Sequence, residues 1–279
     1  MPGHSHLPAG PGPWSPVVVV VAVLALAYLA AAVRAGTGPR GWPRRRTAAW
    51  LLGCAVAAVA LSPALAGHDP RAHMARHLLL GMVAPLGLVL AAPVTLLLRV
   101  TEPATGRRIG RVLRARPVHV LVHPATAALL AVGGLYAVLL TPLADATSGQ
   151  VPHNALLLHY LAAGALFTWS IAGPDPAPRR PGMTTRVLVL VLAVAAHSVL
   201  AKILYARAPA GPDGDATRAA AQLMYYGGDL AELALAAALF ATWYRRRAGT
   251  RRPGRRTRRG RNGRPRAVAQ EDQPAGLQP

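Results

Sequence analysis

The sequence predicts an all-α membrane protein that folds as a polytopic bundle of seven transmembrane helices. Of its 279 residues, 53% are hydrophobic and only 15% are charged, whereas a soluble domain carries about 25% charged residues. The apolar residues also occur in runs of about 20, the length that an α-helix needs to cross roughly 30 Å of hydrocarbon. This composition excludes a soluble globular fold.

Seven apolar segments define the predicted transmembrane domain, which covers residues 17–244. They lie at residues 17–33, 47–66, 73–98, 119–140, 153–171, 185–205 and 217–243. Residues 1–16 are rich in proline and glycine and are expected to form an external tail. Residues 245–279 are rich in arginine and are expected to form a disordered cytoplasmic tail, because glycine, proline and like charges oppose a packed core.

The placement of arginine predicts the orientation of the bundle. The connections that follow the first, third, fifth and seventh segments carry 26 arginines, and the alternate connections carry three. Arginine-rich connections stay on the cytoplasmic side of bacterial membranes, so the N-terminus is predicted outside and the C-terminus inside. We therefore expect a multi-pass protein of the bacterial plasma membrane. Its basic tail is expected to attract anionic lipid headgroups, and nucleic acid is not an expected partner.

Histidines near the outer ends of three segments predict a metal site. His73 and His77 are four residues apart, which puts both rings on one face of a helix. His153 and His159 lie in the fifth segment, and His197 lies in the sixth. A rise of 1.5 Å per residue puts His77, His159 and His197 at a similar depth, about 8–12 Å below the outer surface. Copper and zinc both accept imidazole ligands, and interhelical hydrogen bonding is the alternative role for each ring.

A polar stripe on the last segment accompanies these histidines. Its members recur at i, i+3, i+7 and i+10, and they are Gln222, Tyr225, Asp229 and Glu232. Polar side chains within a membrane are expected to face the interior of a bundle, where they would orient metal-binding histidines or relay protons. Lys202, the only lysine, is expected to neutralise Asp229 or to extend to the outer interface.

Three functions remain open from these residues alone. The first is transient metal binding, and the second is ligation of haem by two histidines for electron transfer. The third is proton- or ion-coupled transport that uses Asp229, Glu232 and Lys202 as a relay. The sequence contains no nucleophile–base pair, phosphate-binding loop or dinucleotide fingerprint, so an enzyme is not predicted.

Four motifs follow one another in an order that is typical of a known family. The first is HMARHLLL, followed by Ala84-Pro85, which is similar to HMxQHLLL…AP. The second is HNALLLHYLAAGALF with the loop GPDPAPR at residues 173–179. The third is AAHSVLAK, which contains His197, and the fourth is AQLMYYGGDLAEL. Over about residues 47–247 the chain resembles the CtaG family of bacterial cytochrome c oxidase assembly factors, of the polytopic membrane type.

This resemblance implies a role in maturing a haem–copper oxidase by supplying or inserting copper. Copper would be bound transiently near the external face by five histidines, His73, His77, His153, His159 and His197. The implied partners are a subunit of the oxidase or another copper chaperone. The sequence departs from the family at Arg76, where glutamine is usual, and at Ala221, where aspartate is frequent. Arg76 adds a cation beside the predicted copper site.

Overall fold

The structure is a computed structural model that describes residues 16–39, 41–67, 69–143, 149–177 and 180–250. Within these ranges the secondary structure is helical and contains no strand, which confirms the all-α prediction. The chain divides into two units, Met1–Thr242 and Trp243–Pro279. Of the predicted external tail, 1–16, and the predicted cytoplasmic tail, 245–279, residues 1–15 and 251–279 lie outside the described residues, whereas residues 245–250 are helical.

Twelve helices are introduced here in chain order, within the part of the chain that the structure describes. They are α1 (Pro16–Gly36), α2 (Arg44–Ala60), α3 (Pro70–Leu78), α4 (Ala84–Leu90), α5 (Pro93–Val100), α6 (Pro103–Leu113), α7 (Arg116–Leu121), α8 (Pro124–Ala128), α9 (Gly134–Leu140), α10 (Gln150–Ala172), α11 (Met183–Ala206) and α12 (Pro212–Thr250). Two π-helical turns, Leu79–Val83 and Leu129–Gly133, join α3 to α4 and α8 to α9. A 3₁₀ turn, Pro63–Leu65, precedes α3.

Five of the described helical segments are long and apolar enough to cross a membrane. They are Val17–Gly36, Pro70–Val100, Val151–Ala172, Met183–Ala206 and Pro212–Arg245. The two other predicted spans form shorter helices, namely α2 with 17 residues and Pro124–Leu140. A helix of 17 residues reaches about 25 Å, which is less than a hydrocarbon core of about 30 Å. The count of seven spans and the orientation of the termini therefore stay predictions.

Proline interrupts the helix that carries the first histidine pair. Pro85 has no N–H to donate to the carbonyl of Gly81, and the chain accommodates this gap with the π-helical turn Leu79–Val83. The helix then breaks before Pro93, where Ala92 adopts a left-handed φ of 57°. This region is therefore a helix with one bulge and one break rather than a straight rod.

Glycines allow α3, α4 and their neighbours to approach closely. A Cβ atom at Gly164 in α10 would overlap the carbonyl oxygen of Gly81, and one at Gly87 in α4 would lie 2.6 Å from the carbonyl oxygen of Ala49 in α2. Small residues at such crossings let helix backbones pack against each other in membranes. The helix that carries His73 and His77 is thereby held between α2 and α10.

A side-chain cap begins α3. Asp69 accepts a hydrogen bond from the backbone N–H of Arg71 at 2.8 Å, and its Oδ1 lies 3.4 Å from Nε of the Arg71 guanidinium. The backbone hydrogen bond is the main reason why the pKa of Asp69 is lowered from its usual value. An aspartate in this position satisfies a free N–H at the helix start, so it defines where the histidine-bearing helix begins.

Candidate metal centre

Four polar side chains from four helices line one cavity within the first unit. They are His77 of α3, Tyr160 of α10, His197 of α11 and Glu232 of α12, and each is at most 6% exposed. The cavity has a volume of about 40 Å³, which exceeds the roughly 10–15 Å³ that one water molecule requires. A small ligand or an ion fits this space.

The rings around the cavity are in contact. The ring centroids of His77 and His197 are 6.3 Å apart, with the planes inclined by 47°. The Tyr160 ring meets the His77 ring edge-on, with centroids 4.9 Å apart. Nδ1 of His197 lies 3.3 Å from Oε1 of Glu232. This contact favours the tautomer of His197 that carries its proton on Nδ1, which leaves Nε2 as an electron-pair donor.

Each of these four side chains keeps one buried polar atom without a hydrogen-bond partner among the described residues. The atoms are His77 Nδ1, Tyr160 Oη, His197 Nε2 and Glu232 Oε2. A buried polar group that is left unpaired costs about 1–3 kcal/mol, and native structures contain few of them. Four such atoms around one cavity indicate a site where a ligand completes the bonding.

The local sequence makes room for the imidazole rings. A Cβ atom at Gly228 would overlap the His197 ring, and one at Gly81 would lie 3.3 Å from Cε1 of His77. Both π-helical turns contribute residues to the cavity wall, namely Gly81, Met82, Ala131 and Val132. Such turns are frequent at functional sites, and here they shape two sides of the same cavity.

A separate polar layer, consisting of His73, Arg76 and His153, lies toward the N-terminal ends of α3 and α10. The guanidinium of Arg76 is buried; its Nη1 lies 3.2 Å from Nε2 of His153, and its Nη2 donates to the carbonyl of Leu65. A guanidinium can only donate, so Nε2 of His153 accepts this hydrogen bond. Neither His73 nor His153 lines the cavity, so these outer histidines are distinct from the pair at the cavity.

His159 points away from the cavity. A Cβ atom at Gly134 of α9 would lie 2.5 Å from Nε2 of His159, so this ring packs on α9, and His159 does not line the cavity. Successive residues of a helix point about 100° apart, which is why Tyr160 contacts His77 in its place. The structure brings His77 and His197 to the cavity and places the His159 ring outside it, while the shared depth of the three histidines stays a prediction.

The polar stripe of α12 divides between the cavity and the surface. Glu232 is buried, Tyr225 and Asp229 are half-buried, and Gln222 is exposed. The buried face of α12 passes through Gly228, and the stripe lies roughly a quarter turn around the helix from it. The expectation that the whole stripe faces the interior is therefore wrong for Gln222.

Lys202 extends to the surface, which is one of its two predicted positions. Its side chain is exposed, and its Nζ lies 5.6 Å from the centre of the Tyr225 ring. Within the part of the chain that the structure describes, it forms no ion pair with Asp229. No contact therefore links Lys202 to the cavity.

The donor set at the cavity consists of two imidazole nitrogens and one carboxylate. Among the described residues, no three side chains of His, Cys, Asp or Glu are grouped so that they would hold a metal ion as they stand. His77 Nδ1 and His197 Nε2 are the two ring nitrogens of the cavity that lack a hydrogen-bond partner among the described residues, and Glu232 contacts the other nitrogen of His197. The cavity therefore offers fewer side-chain donors than a closed metal site requires.

Asp175 has a role that the sequence analysis did not assign. It is 1% exposed and accepts hydrogen bonds from the N–H groups of Val94 and Thr95, at 3.2 and 2.7 Å, and from the Thr95 hydroxyl at 2.5 Å. It thus caps the N-terminus of α5 from a distant loop. The residue before Pro93 is Ala92, which has no side chain that could cap α5. The absence of a local cap was the signal that a capping residue would come from elsewhere in the chain.

Comparison with known proteins identifies relatives for most of the chain. A family model described as cytochrome c oxidase caa3 assembly factor (Caa3_CtaG) matches residues 26–246. Uncharacterized proteins of Mycobacterium bovis and Mycobacterium tuberculosis are each 36% identical over 188 residues, and one of Mycobacterium leprae is 34% identical over 187. These alignments cover 63% of this chain but only 28% of each relative's length. No solved structure matches the chain.

Proposed function

The chain belongs to the cytochrome c oxidase caa3 assembly factor family, and from this premise we propose that it carries copper for a haem–copper oxidase, binding the ion transiently through His77 and His197. Copper is a cargo in this function, and the protein performs no catalysis. One observation carries the proposal: two imidazole nitrogens from different helices lack a partner at the same buried cavity.

The dimensions of the cavity support a shared ion. Copper accepts neutral imidazole, and metal–nitrogen bonds of about 2.0–2.1 Å place the centroids of two imidazoles about 4.5–6.3 Å apart, with the upper end of this range for a linear arrangement across one ion. The centroids of His77 and His197 are 6.3 Å apart. The contact from Glu232 to Nδ1 of His197 is of the kind that orients a metal-binding histidine and raises its basicity.

The incomplete ligand set supports transport rather than permanent binding. Structural metal sites close all four positions with protein ligands. Two imidazoles leave positions open for a ligand from the donor and then for one from the acceptor, so the ion is exchanged without first being released into water. His73 and His153 of the outer layer are the proposed receiving histidines. His159 has no part in this route.

The proposed cellular setting follows the arginine distribution. We place the protein in the bacterial plasma membrane with seven spans, the N-terminus outside and the cavity nearer the external face. The proposed partners are a subunit of the haem–copper oxidase or another copper chaperone. The arginine-rich C-terminal region is proposed to contact anionic lipid headgroups.

Metal analysis of the purified full-length protein tests this proposal. We expect copper in the wild-type protein and a loss to the background level in His77→Ala and in His197→Ala, because each substitution removes one of two ligands. The matched control is His159→Ala, which removes an imidazole from the same depth but not from the cavity, and it should retain copper. Equal copper content in all three variants, together with intact oxidase in the cells that carry them, would contradict the proposal.

The two alternative functions gain no support from the geometry. A haem requires a pocket of several hundred Å³, as small-molecule sites generally do, whereas the volume at His77 and His197 is about 40 Å³. A proton relay through Lys202 would require a contact with Asp229 that the described residues do not make. A Soret band in the purified protein would nevertheless restore the haem hypothesis.

A further inference from the structure

Arg76 is a buried charge that has no acidic partner among the described residues. Its side chain is 4% exposed, and its two hydrogen-bonded groups are neutral, namely the imidazole of His153 and the carbonyl of Leu65. Burying an ion without a counter-ion is costly, and a charge within a membrane segment indicates a function by default. Packing alone is therefore a poor explanation for this arginine.

The guanidinium of Arg76 lies on the N-terminal side of the cavity. His77 and Tyr160 are the first residues of α3 and α10 that line the cavity. Helical side chains lean toward the N-terminus of their helix, and Arg76 reaches His153, which precedes Tyr160 by roughly 10 Å of helix. Its hydrogen bonds join α3 to α10 and to the turn Pro63–Leu65. It thus connects three elements across the predicted outer side of the cavity.

The layer around Arg76 has unused hydrogen-bonding capacity. Nε of Arg76 is buried without a partner, and so is Oδ1 of Asn154, the residue next to His153. A polar network that is only partly satisfied is not held in a single arrangement as firmly as a complete one. The Arg76 side chain is therefore free to adopt another position.

We propose that Arg76 is a latch that closes the external route to the cavity of His77 and His197. The proposal rests on the proposed function, because the cargo would pass this point. In the closed position the guanidinium donates a hydrogen bond to Nε2 of His153, so this nitrogen is not available to a metal ion. The positive charge of the guanidinium also repels an approaching cation. When Arg76 moves away, Nε2 of His153 becomes free and, together with the neighbouring His73, receives an ion before it enters the cavity.

Cysteine accessibility tests the latch without any metal. The chain contains one cysteine, Cys54, so Cys54→Ser gives a cysteine-free background in which Met82→Cys places a single thiol at the cavity wall. Intact cells are treated with a cationic and, separately, an anionic membrane-impermeant methanethiosulfonate. Adding Arg76→Gln should raise the labelling rate of this thiol with both reagents by about tenfold or more, because a hydrogen bond to a charged group contributes at least such a factor to an equilibrium.

Two variants make this result specific. Arg71→Gln removes the same charge from the same helix, but Arg71 is exposed and pairs with Asp69, so the labelling rate should stay unchanged. Arg76→Lys keeps the charge and loses the forked hydrogen bonds, so an intermediate rate is expected with both reagents. Each variant should elute as a single species on size exclusion, and full labelling in detergent that unfolds the protein sets the upper limit.

Several outcomes would overturn the latch. They are an unchanged rate in Arg76→Gln, an equal acceleration by Arg71→Gln, and fast labelling of the protein that retains Arg76. Acceleration of the cationic reagent alone would show that Arg76 is only an electrostatic barrier. Because copper is absent from the assay, a failure of the latch is distinguished from a failure of the copper proposal, which the metal analysis of His77→Ala decides.

Discussion

Two buried polar clusters of the first unit differ in how completely they are hydrogen-bonded. In the Asp175 corner, defined here as Asp175 with Val94, Thr95 and Arg180, both carboxylate oxygens accept hydrogen bonds from the start of α5. Arg180 donates to the carbonyls of Gly173 and Asp175. At the cavity of His77 and His197, four polar atoms have no partner among the described residues. The first cluster is complete without a ligand, and the second is not.

This difference is the reason why we assign Asp175 a structural role and propose a functional one for Glu232. Asp175 and Glu232 are buried to a similar degree, at 1% and 6% exposure. Asp175 satisfies two N–H groups at the start of α5 that have no partner within their own helix, so we expect the fold to depend on it. Glu232 has one contact, to Nδ1 of His197, and one free oxygen. Its removal should therefore affect ligand binding more than folding.

Replacing Asp175 should produce the largest loss of stability. Asp175→Ala removes three hydrogen bonds and leaves the N–H groups of Val94 and Thr95 unsatisfied, which should lower the free energy of unfolding by about 2–4 kcal/mol. Denaturant titration of the purified protein in detergent measures this change. Asp175→Asn keeps an acceptor oxygen and should lose less. The copper bound per folded molecule should not change, and a loss of copper with unchanged stability would contradict the assignment.

Replacing Glu232 should show the opposite pattern. Glu232→Gln keeps the volume of the side chain but weakens the orientation of His197, which should lower copper affinity by about 10–100-fold. The free energy of unfolding should change by less than about 1 kcal/mol, because this carboxylate makes a single contact. Competition with a chelator measures the affinity. Asp229→Asn is the matched control on the same helix, and an equal loss of affinity in that variant would count against the role of Glu232.

Replacing Asp69, an exposed carboxylate at the start of α3, should have the smallest effect on stability. The hydrogen bond from the N–H of Arg71 lowers the pKa of Asp69 in the folded protein, so folding favours its charged form. This stabilisation is fully present above the pKa of the unfolded chain and is lost as the pH falls through the lower folded pKa. Asp69→Ala should lower Tm slightly at neutral pH and not at all in acid. A Tm difference that persists at low pH would show that the cap acts without its charge.

Local features of the sequence predicted the helical fold, whereas the helix boundaries differ from the predicted segments. The apolar runs predicted helices because only a helix satisfies its own backbone within a membrane, and Pro70, Pro93, Pro103 and Pro124 each begin a helix. The lengths of individual helices were less predictable. The second apolar segment yields a helix of 17 residues, Arg44–Ala60, because the chain turns again at Pro63.

The candidate site was predicted in part. Residue number sets the depth of a helical residue, which is why His77, His159 and His197 were all predicted at a similar depth. Direction around a helix depends on how that helix is rotated against its neighbours, and nothing in a single helix reports this rotation. The sequence analysis therefore named His159 as a site residue and did not name Tyr160, which lines the cavity. For the same reason Gln222 was expected inside the bundle, although it is exposed.

By itself, the sequence determined the helical class and the family, and it named five candidate histidines without separating His77 and His197 from the others, because composition, motifs and position along each helix carry no information on rotation. Only the tertiary structure decided that Arg76 holds His153, that Asp175 caps a helix 80 residues away and that four polar atoms around one cavity remain unpaired. Such contacts form between segments that are far apart in the chain. They depend on how each helix is rotated about its own axis, and this rotation is set by packing against neighbouring helices.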